Sequence, residues 1–506
     1  MIYIIIFATA LFLSVFFYYA PDGTEVTWWN SYIPTLTTFI LVISWLLNPC
    51  LCKITQEKIF KSTMLIIALV GVASCFFASR ANTSIYAMCV TLSVPSLFYF
   101  FDTKSNIIKI AVVIAWVICT TAIITVSSRT GIISITISLL WGIGIYIKMT
   151  TKRLLFAALC IIGLTTSLFL FLKEDSSAGR SFIIKNTAKM IADKPLGWGN
   201  GGFEANYMNY QANYFANNMN EKAALLADNI KHPLNEYMYI AVNSGIHVLL
   251  LILCGGTMLI ITLHKENCKK SKCFLHFITL LIVWCGFSYP LSVSFVLIMF
   301  LAYVPFIPKI EYLLWKKPII RYSTALLLLL YSSSELSAFN DERKWHNAIK
   351  EYKNGNKETA MKVFNAAEKL SIEKKDLLFS LATIEYNNKN YDKCINICND
   401  CKRYLASYDL EFLLANSYFF IKEYDKALEH FSTAQNMCPN RFVPLYKQFK
   451  THIELGDTAN MKKVGKQILS KKIKVHSPKI EIITKNVKYE LNKIKTSDIT
   501  NNKTNY

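Results

Sequence analysis

Residues 107–126 read Ile-Ile-Lys-Ile-Ala-Val-Val-Ile-Ala-Trp-Val-Ile-Cys-Thr-Thr-Ala-Ile-Ile-Thr-Val, and Ser127-Ser128-Arg129-Thr130-Gly131 follow before another apolar run begins. A helix needs about 20 mostly apolar residues to cross the hydrocarbon of a bilayer, and this run supplies them with a single charge. The hydroxyl-rich break is long enough only for a turn, so the next run must return as a second helix. The pattern recurs in both directions. Apolar runs lie at 2–20, 31–52, 64–80, 85–101, 107–126, 131–147, 154–172, 246–263, 274–289, 291–305 and 322–338. They predict an all-α chain that opens as a polytopic transmembrane bundle of about eleven spans. The run at 2–20 lacks a basic leading segment and exceeds a signal-peptide core of about 7–15 residues, so it reads as a retained helix. The two runs around Pro290 are short enough to form a re-entrant hairpin instead. The last has an apolar core of only Tyr322–Ser334.

Charge placement orients the spans. With a cytoplasmic N-terminus, the even-numbered connections hold Lys53, Lys58, Lys61, Lys104, Lys109, Lys148, Lys152, Arg153, Lys265, Lys269, Lys270, Lys272, Lys309, Lys316, Lys317 and Arg321, whereas the short odd ones hold Arg80 and Arg129. This is the positive-inside asymmetry. The basic balance of 55 Lys+Arg against 34 Asp+Glu therefore reports topology and gives no support to a nucleic-acid partner. Eleven crossings put the long connection at 173–245 and the C-terminal third on the far side, which is the periplasm if the chain is bacterial.

That C-terminal third repeats with a period near 34. In its clearest unit Leu414, Ala415, Tyr418, Tyr424, Ala427, Phe431, Ala434 and Pro439 occupy tetratricopeptide consensus positions. Cys394, Cys398 and Cys401, and before them Ala360, Phe364 and Ala367, fall at the offsets of Ala427, Phe431 and Ala434. Offsets of 0, 4 and 7 share one helical face, so the cysteines read as core rather than redox or metal groups. No cysteine pair has zinc-ligand spacing, and no metal or other cofactor is expected. The domains are then 1–172 (N-terminal spans), 173–245 (the loop), 246–338 (C-terminal spans), 339–475 (a tetratricopeptide α-solenoid) and 476–506 (a lysine-rich, poorly ordered tail). Such arrays present surfaces for protein partners.

The loop carries seven basic and seven acidic side chains and is read as structured. Ser181–Asp193 has the spacing of an amphipathic helix lying on the membrane. Lys194-Pro195 ends it, and Gly197-Trp198-Gly199-Asn200-Gly201-Gly202 makes a sharp turn before a second helix from Phe203 to about Asn220. The glycines tempt a nucleotide-binding reading, but that fingerprint must follow a strand. His232 precedes Pro233, a residue suited to the first helical position. A histidine capping that helix would be held neutral by the positive helix end, as a general base for a hydroxyl requires; a plain polar cap is the bland alternative. Arg129 and Arg180 offer planar forks suited to phosphate oxygens, or else they anchor helices at the interface.

In this order the motifs resemble the O-antigen ligase and polymerase superfamily of bacterial membrane glycosyltransferases. The resembling pieces are Ser128-Arg129-Thr130-Gly131, Gly179-Arg180, Asp193-Lys194-Pro195-Leu196-Gly197-Trp198-Gly199 with Gly202-Phe203, and His232-Pro233-Leu234-Asn235-Glu236-Tyr237. The resemblance spans about residues 60–310, and a C-terminal tetratricopeptide domain also occurs in that superfamily. It implies transfer of a glycan from an undecaprenyl-pyrophosphate carrier to an acceptor hydroxyl, without a metal and with inversion. It assigns the pyrophosphate to Arg129 and Arg180 and acceptor activation to His232. Asn235, Glu236, Tyr237 and Trp198 are candidates for lining the acceptor site. The acceptor is left open between lipid A core, another glycan and a protein. A non-enzymatic scaffold recruiting periplasmic proteins is a separate reading. A flippase would call for inverted repeats and midplane charges, which the sequence lacks.

The charge asymmetry makes one prediction directly. A reporter that fluoresces only in the cytosol is expected to light when fused after residue 150 and to stay dark after residue 220 or 440. Fluorescence at 220 would invert the topology.

Overall fold

The computed structural model describes residue 37 and residues 53–76, 83–101, 103–146, 174–217, 220–303, 317–366, 370 and 373–503. The runs expected at 2–20, 31–52 (apart from Thr37) and 154–172 lie outside the described residues, as do Arg80, Lys148, Lys152, Arg153 and Ala367. Among the described residues every regular element is a helix. Four are long and apolar enough to cross a membrane: Thr83–Phe101, Asn106–Thr125, Ile246–Glu266 and Lys269–Phe287. The chain divides into two compact units, Met1–Lys173 with Leu234–Tyr237 and Leu250–Ser371, and Glu174–Pro233 with Met238–Leu249 and Ile372–Tyr506.

In the first unit, α1 (Lys53–Ser74), α3 (Asn106–Thr125), α4 (Arg129–Tyr146) and α10 (Lys269–Phe287) all pack on α2 (Thr83–Phe101). That helix is buried along nearly its whole length. Its hydroxyls are satisfied locally: Thr91 and Ser93 donate back to carbonyls of the preceding turn. Thr91 Oγ1 also accepts from Trp284 Nε1 at 2.9 Å, a hydrogen bond inside an otherwise apolar core. By contrast α3 exposes Ile107, Ile110, Ile114 and Val117, and α9 (Ile246–Glu266) exposes Leu250, Leu251 and Met258. Surfaces that apolar belong against lipid. Past α10, the 3-10 turn Pro290–Ser292 leads into α11 (Ser294–Tyr303). The helix α12 (Pro318–Lys353) runs for 36 residues, about 54 Å at 1.5 Å per residue. The boundary expected at 338/339 falls inside it, because no Gly or Pro interrupts the chain between Pro318 and Gly355. Trp345 of α12 packs edge-on against Phe364 of α13 (Lys357–Asn365), with ring centroids 5.0 Å apart.

In the second unit, α5 (Glu174–Asp193), α6 (Gly202–Asn217) and α7 (Glu221–Leu226) come from the loop. Three hairpins follow from the C-terminal third: α14 (Lys374–Asn387) with α15 (Tyr391–Cys401), α16 (Tyr408–Phe420) with α17 (Tyr424–Met437), and α18 (Val443–Glu454) with α19 (Thr458–Ser470). The turns repeat. Gly355, Lys389, Lys422 and Gly456 all adopt positive φ, at intervals of 34, 33 and 34 residues. Cys394, Cys398 and Cys401 are fully buried with Leu410 and Leu414, as a packed helical face requires. Burial alone pushes the Glu411 carboxyl up, but the hydrogen bond from His430 (2.7 Å) and the Lys402 ammonium (2.6 Å) outweigh it and hold the group below its ordinary range.

Two expectations are corrected here. The apolar face of α5 does not lie on a membrane: Ile183, Thr187 and Met190 are buried, and Phe182 packs on Tyr214 and Phe215 of α6 at 4.9 and 5.2 Å. The stretch after 475 is not a loose tail through residue 503 but the helix α20 (Pro478–Lys503). Ile483 and Val487, one turn apart, bury themselves against Phe449, Met461, Val464 and Ile468. Lysines dominate its composition and mask that period.

Val487 is fully buried, so Val487→Asp would force an unpaired carboxylate into this cluster. The expected cost is about 3 kcal/mol. It should be read as early protease cleavage within 443–503 in the full chain, and unchanged protection would mean α20 is not docked.

Candidate functional site

The glycine-rich turn is held by hydrogen bonds between backbone segments. Trp198 N donates to Val242 O (2.7 Å), Gly199 N to Asn243 O (2.9 Å) and Ile246 N to Pro195 O (2.9 Å). These tie the end of α5 to the junction of α8 (Glu236–Ser244) and α9, where Gly245 adopts φ +90°. Gly197, at φ +94°, passes so close that a Cβ there would lie 2.6 Å from Gly245 N and 2.8 Å from Asn243 O. The glycines thus serve a close approach of the chain to itself.

Trp198 contributes to the same knot. Its indole Nε1 donates to Met190 O (2.9 Å), a carbonyl in the last turn of α5 that also accepts from Lys194 N (3.2 Å). The Lys194 ammonium lies 5.2 Å from its ring centroid and Tyr210 meets it edge-on at 6.2 Å. Tyr210 OH donates to Asp193; burial and that carboxylate push the phenol up to about 12. Asn243, which the sequence reading passed over, accepts from Phe203 N (2.9 Å) at the start of α6. A polar side chain just before a helix-breaking glycine was the available signal.

His232 does not cap a helix. Leu234 takes φ +57°, and α8 begins only at Glu236, so the dipole argument for a neutral imidazole does not hold. A left-handed residue two positions on turns the chain away from helical geometry. What orients the half-buried ring is Tyr239, stacked on it with centroids 4.5 Å apart. The segment before it is tied down residue by residue. Asp228 O accepts from Gln211 Nε2 (3.0 Å), Ile230 N donates to Met208 Sδ (3.4 Å), and Asn229 Nδ2 donates to Asp409 (3.2 Å).

Arg180 lies within α5, whose first residue is Glu174 rather than Ser181. Packing against α7 extends the helix through Gly179 despite its low propensity. Arg129 is the first residue of α4, after a connection of only 126–128, and Ser128 Oγ accepts from Gly131 N (3.2 Å). Both arginines are half-buried. Arg129 belongs to the first unit, and Arg180 and His232 to the second. Asn235, Glu236 and Tyr237 belong to the first, where all three bind main chain. Asn235 Nδ2 donates to Gly286 O (2.9 Å), Tyr237 OH to Ile282 O (2.9 Å), and Leu291 N to the Glu236 carboxylate (2.9 Å), itself only 2% exposed. Among the described residues no group of His, Cys, Asp and Glu is placed to hold a metal ion.

A family model described as O-Antigen ligase matches residues 114–253. The matched segment runs from the second half of α3 to the first turns of α9. It contains Arg129, Arg180, Trp198, His232, Asn235, Glu236 and Tyr237. No curated protein matches the chain. The similarity supports membrane glycan transfer in general terms.

The contrast between two glycines tests the knot. Gly197→Ala meets both a forbidden φ and backbone atoms, whereas Gly199→Ala (φ +92°) meets nothing within 4 Å. The second should cost about 1–2 kcal/mol for the backbone conformation alone, and the first visibly more. Thermal unfolding of the two full-length variants in detergent, with equal midpoints, would contradict the close approach.

Proposed function

We propose that this chain is a bacterial inner-membrane glycosyltransferase of the O-antigen ligase type. It moves a glycan from an undecaprenyl-pyrophosphate carrier to an acceptor hydroxyl at the periplasmic face. The observation that carries the reading is that one family match, 114–253, takes in both arginines and the histidine in the order the resemblance requires. Arg129 and Arg180 bind the diphosphate. The position of Arg129 at the first residue of α4 supports this, since the amide N–H groups of a helix start also favour an anion. The acceptor oxygen forms a bond to the anomeric carbon as the bond from that carbon to the pyrophosphate oxygen breaks. His232 takes the hydroxyl proton, and undecaprenyl pyrophosphate leaves with its charge stabilised by the two guanidinium groups. Attack opposite the leaving group inverts the anomeric centre, and the chemistry asks for no metal.

The described contacts bear on the acceptor residues. Asn235, Glu236 and Tyr237 each use polar atoms on main chain of the first unit, which favours a supporting role over direct contact with acceptor. The array of hairpins repeating at 33–34 residues is taken as tetratricopeptide in type. Polymerisation onto a second carrier-linked glycan, and transfer to a protein, remain the other forms of the same reaction; a membrane-anchored scaffold is the non-enzymatic one.

His232→Ala and Arg180→Ala, each at parental expression level, are expected to lower surface glycan by at least about 100-fold, as loss of a base or of leaving-group stabilisation does. Carrier-linked glycan should accumulate. Surface glycan at the parental level in both variants leaves only the scaffold.

A further inference from the structure

We infer that the hairpin array is an intramolecular clamp that positions the His232 segment, so that its main partner is the chain's own loop; the inference rests on the reading of His232 just given. Loop and array form one compact unit, and the contacts between them are specific. Glu204 of α6 pairs with Lys375 at the start of α14, and its carbonyl accepts from Ala406 N (2.9 Å) just before α16. Gln211, two turns further along α6 and fully buried, donates to Met437 O at the end of α17. A single loop helix is therefore gripped by the first hairpin, by the connection into the second and by the end of the second.

The grip is tightest beside the histidine. Asn440 Nδ2 donates to Ala227 O (2.8 Å) and to Leu225 O (3.3 Å). Arg441 pairs with Asp228 (3.2 Å) and lies over the Tyr408 ring at 4.1 Å. Asp409 accepts from Asn229. The array thus contacts Leu225, Ala227, Asp228 and Asn229, all within seven residues of His232. The segment has no regular secondary structure of its own, and the array adds these contacts to those it makes with Gln211 and Met208 of α6. Lys375 is built to stay charged: burial lowers it, but the hydrogen bonds it donates to the Glu204 and Glu373 carboxylates outweigh that and raise it above the ordinary range. Asn440, Arg441 and Lys375 are positioning residues, acting on the reaction only through the loop.

The test uses the purified full chain in detergent, with lipid-linked glycan extracted from its own cells as donor, and compares Asn440→Asp, Lys375→Glu and the swap Glu204→Lys/Lys375→Glu. Asn440→Asp sets a carboxylate against two carbonyls and Lys375→Glu sets it against Glu204. Both should lower kcat about tenfold or more, since a base displaced by about 1 Å costs up to 100-fold. KM for the donor should stay within about twofold, because only His232 is displaced. The swap, which restores the ion pair, should recover most of kcat. Protease cleavage between residues 218 and 231 should rise in the single variants and fall back in the swap. Parental kcat in Asn440→Asp and Lys375→Glu, beside an inactive His232→Ala, overturns the clamp and leaves the proposed reaction standing. Parental kcat in His232→Ala overturns the base assignment, whatever the clamp variants do. A swap as inactive as its parents also overturns the clamp, showing that these sites matter for reasons other than the pairing.

Discussion

The carbonyls of Leu225 and Ala227 converge on one amide, Nδ2 of Asn440, more than 200 residues away in the chain. The constraint behind this contact is general: a backbone group withdrawn from water must find a partner, and an irregular segment has few of its own. Residues 227–235, between α7 and α8, are such a segment. Asn229 N is met within it by Asp228; Gln211 and Met208 of α6 and Asn440 of the array meet other backbone groups, while Asp409 and Arg441 hold the Asn229 and Asp228 side chains. Everything proposed for His232 presupposes that these contacts hold the segment in one place.

The same contacts constrain topology. The loop and the hairpins at 373–503 touch through hydrogen bonds and ion pairs, so they share one side of any membrane. The chain between 249 and 373 must then cross an even number of times. The runs at 246–263, 274–289, 291–305 and 322–338 are four, which meets that parity. This parity follows from contact alone, independently of the lysine count. It assigns no compartment; the lysines in the connections are what favour the periplasm.

Much of the architecture was legible because it is written in local periods. Twenty-residue apolar runs, the 34-residue repeat and the face formed by Cys394, Cys398 and Cys401 each depend on neighbours within a few turns. What failed to read was whatever depends on a distant partner. On α5 the spacing of Ile183, Thr187 and Met190 says only that something covers them, and not that α6 rather than a membrane does. α20 was missed because Ile483 and Val487 are few among lysines, although the one-turn spacing was there. His232 was placed at a helix cap on the strength of Pro233, and the left-handed Leu234 could not be foreseen from a residue type that rarely adopts it. For the candidate site, sequence offers the motif positions but not the groups that hold them. Tyr239, Asn243 and Asn440 carry no motif, and two of them act through a single side-chain amide.

Tyr237 and Tyr239 make the last point. They lie two residues apart on α8, and residues so spaced do not share a helical face. Tyr237 is hydrogen-bonded to Ile282 O of α10, while Tyr239 stacks on the His232 ring. Tyr237 does its work in the first unit and Tyr239 in the second. The tyrosine inside the motif thus serves a main-chain carbonyl of α10, and the one two residues on, outside the motif, is the residue on which the His232 ring is stacked. A motif read as a row of candidate contacts to substrate therefore holds residues whose described bonds are to the protein itself.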